Sequence, residues 1–182
     1  MDHASRLGSW GELYVMLGTS SAALLGLLFV ATSLHLDDFA NNFSYRARAR
    51  NNSYMLIFTL IEAAIVLTPQ PVELMGGTLV VANLVAMWVP VKNTYLYAYK
   101  NPDVGRRGGW AIWRGVAFLF AFLISIAGAG LTLLSPNVGL YLVTVSYAAV
   151  LVIVALNSWS LLIGIGNIEN TAKARRARKA RK

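Results

Sequence analysis

In 182 residues the chain carries 57% hydrophobic side chains, only 13% charged ones, and a formal net charge of +8. Soluble domains carry about 25% charged residues, and a chain this apolar presents adhesive surface to water unless lipid covers it. Cysteine is absent, which excludes disulfides, thiolate chemistry and cysteine-based metal sites.

Five apolar segments follow, each near the roughly 20 residues that a helix needs to cross the hydrocarbon core. They predict an all-α, polytopic membrane bundle of five transmembrane helices. Residues 1–168 form the bundle and residues 169–182 a basic tail, with no internal break that would divide the chain further.

The first segment, Leu13–Leu34, has 22 residues and no charge. The chain before it lacks the basic region and cleavage pattern of a signal peptide, so this span is expected to remain in the mature protein. Gly18, Ala22 and Gly26 recur every four residues and line one helix face. Small residues there admit another backbone, from the same chain or from a second copy. The segment runs out into His35, Asp37 and Asp38. Such residues end a helix at the headgroups, with Arg46, Arg48 and Arg50 nearby as ion-pair partners. The other reading is an ion site, and no metal ligand set is assigned. The string AALLGLLFVATSLHLDD followed by RARARNN resembles a set of small bacterial multi-span membrane proteins. These carry Gly-Leu-x-Phe-Val-Ala-x-Ser-Leu-x-Leu and then an Arg-x-Arg-Asn run. The resemblance covers Trp10 to Asn51. It implies a bacterial inner-membrane location and no activity.

The second segment, Ser53–Thr68, is short, but Arg50–Asn52 extends it at headgroup level. Pro69-Gln70-Pro71 cannot continue the helix and makes a tight turn. Glu62 lies six residues before that end, about 9 Å deep at 1.5 Å per residue. A carboxyl in hydrocarbon normally faces protein or water and has a partner. No cation shares its depth, because Arg114 belongs to the other end of its own span. Thr19, Ser20 and Ser21 in the first span and Thr144 and Ser146 in the fifth lie at similar depth, and Asn83 a turn or so deeper. Glu62, Asn83, Thr19, Ser20 and Thr144 therefore form the candidate intramembrane polar site, with a protonated or hydrogen-bonded carboxyl among amides and hydroxyls. Such a site is either a structural clasp or a place that handles protons or cations.

The third segment, Val72–Val91, contains Asn83 and continues into Tyr95–Lys100, which suggests an interfacial extension lined with tyrosines. The fourth, Trp113–Leu134, offers a small-residue face through Ser125 and Ala129. Ser135-Pro136-Asn137 turns the chain into the fifth, Val138–Ile165, whose Asn157, Ser158 and Ser160 make a second polar cluster. The tail then places Lys173, Arg175, Arg176, Arg178, Lys179, Arg181 and Lys182 within ten residues of one another. Near anionic lipid headgroups each contributes about 1 kcal/mol. Nothing interleaves to read bases, so nucleic acid is not an expected partner.

Charge orients the whole. One basic residue precedes the first span (Arg6). Three follow it, none lies in either proline turn, five surround the third loop (Lys92, Lys100, Arg106, Arg107 and Arg114), and seven form the tail. Cytoplasmic loops collect Lys and Arg. Five spans with the N-terminus outside place fifteen of the sixteen inside. Trp10, Tyr14 and Tyr141 fall at the outer boundary and Tyr45, Tyr54, Trp88, Trp110 and Trp113 near the inner one, as interfacial aromatics do.

No His-Glu-x-x-His, Gly-x-Ser-x-Gly or phosphate-binding glycine loop occurs. The chain is expected to lack enzymatic activity and cofactors. It is read as a bundle that assembles with itself or joins a larger membrane complex. The alternative is an oligomeric channel or proton-coupled transport protein that uses Glu62.

Overall fold

Prolines follow the end of one helix and begin another where their chemistry requires. After Leu67 the chain has a single turn, in which Thr68 N–H reaches Ala64 O at 3.0 Å and the Gln70 side chain donates to Ile65 O at 2.7 Å. Carbonyls that would otherwise be left open at a helix C-terminus are thereby satisfied. Pro136 occupies the first position of the last helix, where a missing N–H loses nothing.

The structure is a computed structural model and describes residues 3–36, 43–100 and 109–180. Regular structure among the described residues is helical throughout: α1 (His3–Leu34), α2 (Phe43–Leu67), α3 (Val72–Lys100), α4 (Gly109–Leu131) and α5 (Pro136–Ala180). Each apolar segment corresponds to a helix, and most boundaries shift, α1 starting at His3, α3 reaching Lys100 and α4 starting at Gly109. α2 begins ten residues before Ser53, because Arg-Ala-Arg-Ala-Arg is itself a good helix former. α4 stops at Leu131 instead of Leu134, since the chain tightens into i→i+3 bonds at Leu133 and Leu134. α5 runs for 45 residues without interruption, roughly 68 Å.

Stretches in three helices are long and apolar enough to cross a membrane: Trp10–Leu34, Val72–Val89 and Pro136–Ser160. α4 carries a shorter apolar stretch, Gly115–Leu131. The three arginines in the first turns of α2 and Glu62 in its second half interrupt its apolar run.

Each helix packs on the next, α5 returns to α1 and closes the ring, and α2 reaches across it to α5. The short turns make α2 antiparallel to α3 and α4 antiparallel to α5. Buried apolar side chains fall into two clusters. One lies toward the end with the two tight turns and is centred on Leu17, Ala63, Leu79, Ala129 and Val143. The other lies toward the opposite end and is centred on Leu28, Leu56, Ala86, Phe122 and Val154.

Between the clusters every helix contributes a buried polar residue: Ser21, Glu62, Asn83, Ser125 and Ser146. The exterior is the reverse. Phe29 is 72% exposed, Trp88 68%, Trp159 66% and Phe120 63%. A polar layer between apolar clusters, inside an apolar coat, is an arrangement that lipid permits.

Candidate functional site

The polar layer follows from helical spacing. Buried positions recur at three and four residues on every helix, for example 55, 56, 59, 62, 63 and 66 on α2 and 75, 79, 83 and 86 on α3. Glu62 and Asn83 fall on these inward stripes, and neither has any exposed surface. Counted along the backbone, Asn83 lies deeper from the turn than Glu62. Side chains lean toward the N-terminus of their own helix. On antiparallel α2 and α3 the two therefore lean toward each other, and the Asn83 amide donates to Glu62 Oε2 at 3.2 Å.

A chain of donors runs through the layer. Ser125 Oγ donates to the Tyr147 hydroxyl at 3.4 Å, Tyr147 donates to Asn83 Oδ1 at 3.1 Å, and Asn83 Nδ2 serves both Glu62 and Leu79 O, the latter at 2.9 Å. The Tyr147 hydroxyl also lies against the Glu62 carboxyl. Glu62 Oε1 accepts no hydrogen bond and is buried. A second pair stands beside the chain, within electrostatic reach of Glu62. There the Thr144 hydroxyl donates to Tyr14 at 3.1 Å, and Tyr14 donates to Leu140 O at 3.4 Å. Helices α1 and α2 are tied by Ser21 Oγ to Leu56 O at 2.6 Å, and α4 and α5 by Ser146 Oγ to Ala121 O at 2.5 Å.

Of the five residues placed in the polar site from sequence, the structure joins Glu62 and Asn83 directly. Thr144 pairs with Tyr14, one step away. Thr19 and Ser20 do not belong to the site: both are exposed, and Thr19 hydrogen-bonds its own backbone at Val15 O. Depth alone suggested them, and the helix turns them outward. The next residue, Ser21, faces in. Tyr14, read as an interfacial aromatic, is only 1% exposed and stands within the bundle. Tyr147 completes the network and went unread. Its signal was its position some three turns into α5, where a phenol hydroxyl is below headgroup level and needs a protein partner.

The small-residue positions divide in the same way. Gly18 is packed, and a Cβ there would lie 3.2 Å from the Ala63 Cβ. Ala22 and Gly26 face outward, and nothing lies within 4 Å of a Cβ built at Gly26. The three do not form one seam inside the chain. Ser125 and Ala129 are fully buried on α4. The closest helix approaches involve glycines that spacing did not single out. A Cβ on Gly139 would stand 2.6 Å from Gly128 O, and one on Gly76 would stand 3.2 Å from Ala129 O.

At the opposite end Asn52 donates to Ser158 Oγ at 3.1 Å, and Ser160 returns to Asn157 O at 2.9 Å. Helix α5 continues through the stretch that holds Lys173, Arg175, Arg176, Arg178 and Lys179. Arg181, Lys182, Asp37 and Asp38 lie outside the described residues. Among the described residues no three His, Asp or Glu side chains group in a way that could hold a metal ion.

The site is thus a carboxyl held at one oxygen by the Asn83 amide, with no cation on it among the described residues. Comparison with known proteins adds nothing to this geometry: no family model, curated protein or solved structure matches the chain.

Proposed function

We propose that the chain is a five-span protein of the bacterial inner membrane, without enzymatic activity, whose work is assembly. It forms a homo-oligomer or serves as a subunit of a larger membrane complex. The N-terminus lies outside and the basic tail in the cytoplasm, against anionic headgroups. The concentration of Lys and Arg around the first and third loops and in the tail supports this orientation. The resemblance of the Trp10–Asn51 region to small bacterial membrane proteins supports the location.

One observation carries the assembly reading. Ala22 and Gly26 offer a small-residue surface on α1 that the bundle itself leaves uncovered. Membrane helices associate through close packing at such surfaces, since lipid supplies no hydrophobic drive between them. Native mass spectrometry from nanodiscs tests it. The wild type gives a defined oligomer, or retains a stoichiometric partner when extracted from its own membrane. Gly26→Leu combined with Ala22→Leu shifts that species to the monomer without loss of helicity. A wild type that is monomeric and partnerless, or an oligomer indifferent to the double substitution, rejects the reading.

A second reading is favoured by the unpartnered oxygen of Glu62, namely an oligomeric channel or proton-coupled carrier. Flux into proteoliposomes at several pH values decides it. No flux above empty liposomes, across protons and common cations, removes it.

A further inference from the structure

We infer that the five-helix junction is a proton-binding site, in which Glu62 Oε1 carries an exchangeable proton and donates it to the Tyr147 hydroxyl. The donors and acceptors concerned all belong to one chain, so the site depends on neither assembly nor transport.

An ionised carboxylate is an acceptor at both oxygens. This pocket supplies one donor, the Asn83 amide on Oε2. The other protons at the site are already directed elsewhere. From α1, Tyr14 gives its proton to Leu140 O. From α5, Thr144 gives its proton to Tyr14 and Tyr147 gives its own to Asn83 Oδ1. From α4, Ser125 reaches Tyr147 and not the carboxyl. From α3, Asn83 is the neighbour and carries no charge. On α2 the nearest basic residue, Arg50, is twelve residues away, about 18 Å along the helix. Among the described residues no cation faces Glu62 from any of the five helices.

The acid form fits what is present. Its carbonyl oxygen accepts from Asn83, and its O–H needs one acceptor. The Tyr147 oxygen lies against the carboxyl and has two lone pairs, of which Ser125 uses one. A proton on Oε1 thus satisfies the one buried side-chain oxygen left open among the described residues. Loading takes a proton from water onto Oε1, and release returns it, with no other bond made or broken.

Infrared spectroscopy on the full chain in lipid nanodiscs tests the site. The wild type shows the carbonyl band of a protonated carboxyl that moves on transfer to heavy water, and that band is missing from Glu62→Gln. Tyr147→Phe removes the acceptor oxygen, together with the donor to Asn83 Oδ1 and the acceptor for Ser125. It leaves the band in place but shifts it toward that of a carboxyl with a free O–H. Absence of any protonated-carboxyl band in the wild type overturns the inference. So does a band whose intensity follows sodium or potassium at constant pH, which would make the site one for a metal cation. If Glu62→Gln does not fold, Tyr147→Phe is sufficient, because a band indifferent to it overturns the assignment.

Discussion

Asn83 is the residue on which the polar layer turns. Its amide donates to Glu62 and Leu79, and its carbonyl accepts from Tyr147, so three of its four hydrogen-bonding positions are filled without water. Replacing Glu62 tests how much of this depends on a carboxyl. Glu62→Gln keeps the shape and an acceptor for the Asn83 amide, and the expected loss of stability is below about 1 kcal/mol. Glu62→Leu removes that acceptor from a fully buried position, with an expected loss of about 1–3 kcal/mol. Reversible unfolding of the two variants in mixed detergent micelles measures the difference. Equal losses would mean that shape, not hydrogen bonding, is what the position supplies. Glu62 and Asn83 were legible in the sequence because polar groups deep in an apolar run need partners. Ser125 was legible only as a small packing residue, and Tyr147 only as a phenol deep in an apolar run, without its partners. Their roles depend on how α4 and α5 are rotated about their axes, which no count of depth supplies. Thr19 and Ser20 were misplaced for the same reason.

At the scale of elements, the α4–α5 hairpin is the tightest contact. Gly139 faces the Gly128 carbonyl and the Thr132 backbone, so an added Cβ meets main chain that has nowhere to move. Gly139→Ala should destabilise the bundle by about 1–3 kcal/mol, as overpacking does. Gly130, one helix face away, has nothing within 4 Å of such a Cβ. Gly130→Ala should instead be neutral or stabilise by up to about 1 kcal/mol, through the lower conformational freedom of the unfolded chain. Thermal unfolding in one lipid composition compares the two, and a Gly139→Ala as stable as Gly130→Ala would contradict the packing described. The five helices and both turns were readable from apolar runs and prolines. The ends were less so, because helix formation continues through charged residues that still favour it, as in Arg46–Arg50 and the tail. The Gly18–Ala22–Gly26 spacing does not say which helix lies over each position, and within the chain only Gly18 meets one.

For the whole molecule, charge and architecture make one joint prediction. The two proline turns are at one end of the bundle, and the starts of α2 and α4 and the far end of α5 are at the other. A reporter fused after Lys182 should be active only in the cytoplasm, and one inserted between Pro69 and Val72 only outside the inner membrane. A periplasmic C-terminal reporter would invert the proposed orientation. The polar layer, which takes one or more residues from each helix, also bears on biogenesis. The chain is synthesised from α1 onward, so Tyr147 leaves the ribosome after Glu62, Asn83 and Ser125 are already available to the membrane. Until α5 is inserted, Asn83 has no phenol to accept from and Ser125 has none to donate to. A nascent chain with four helices therefore holds open polar groups in lipid, which is costly. Completion of the last helix closes the network in one step, so a chain truncated before it should be degraded rather than accumulate as a smaller bundle.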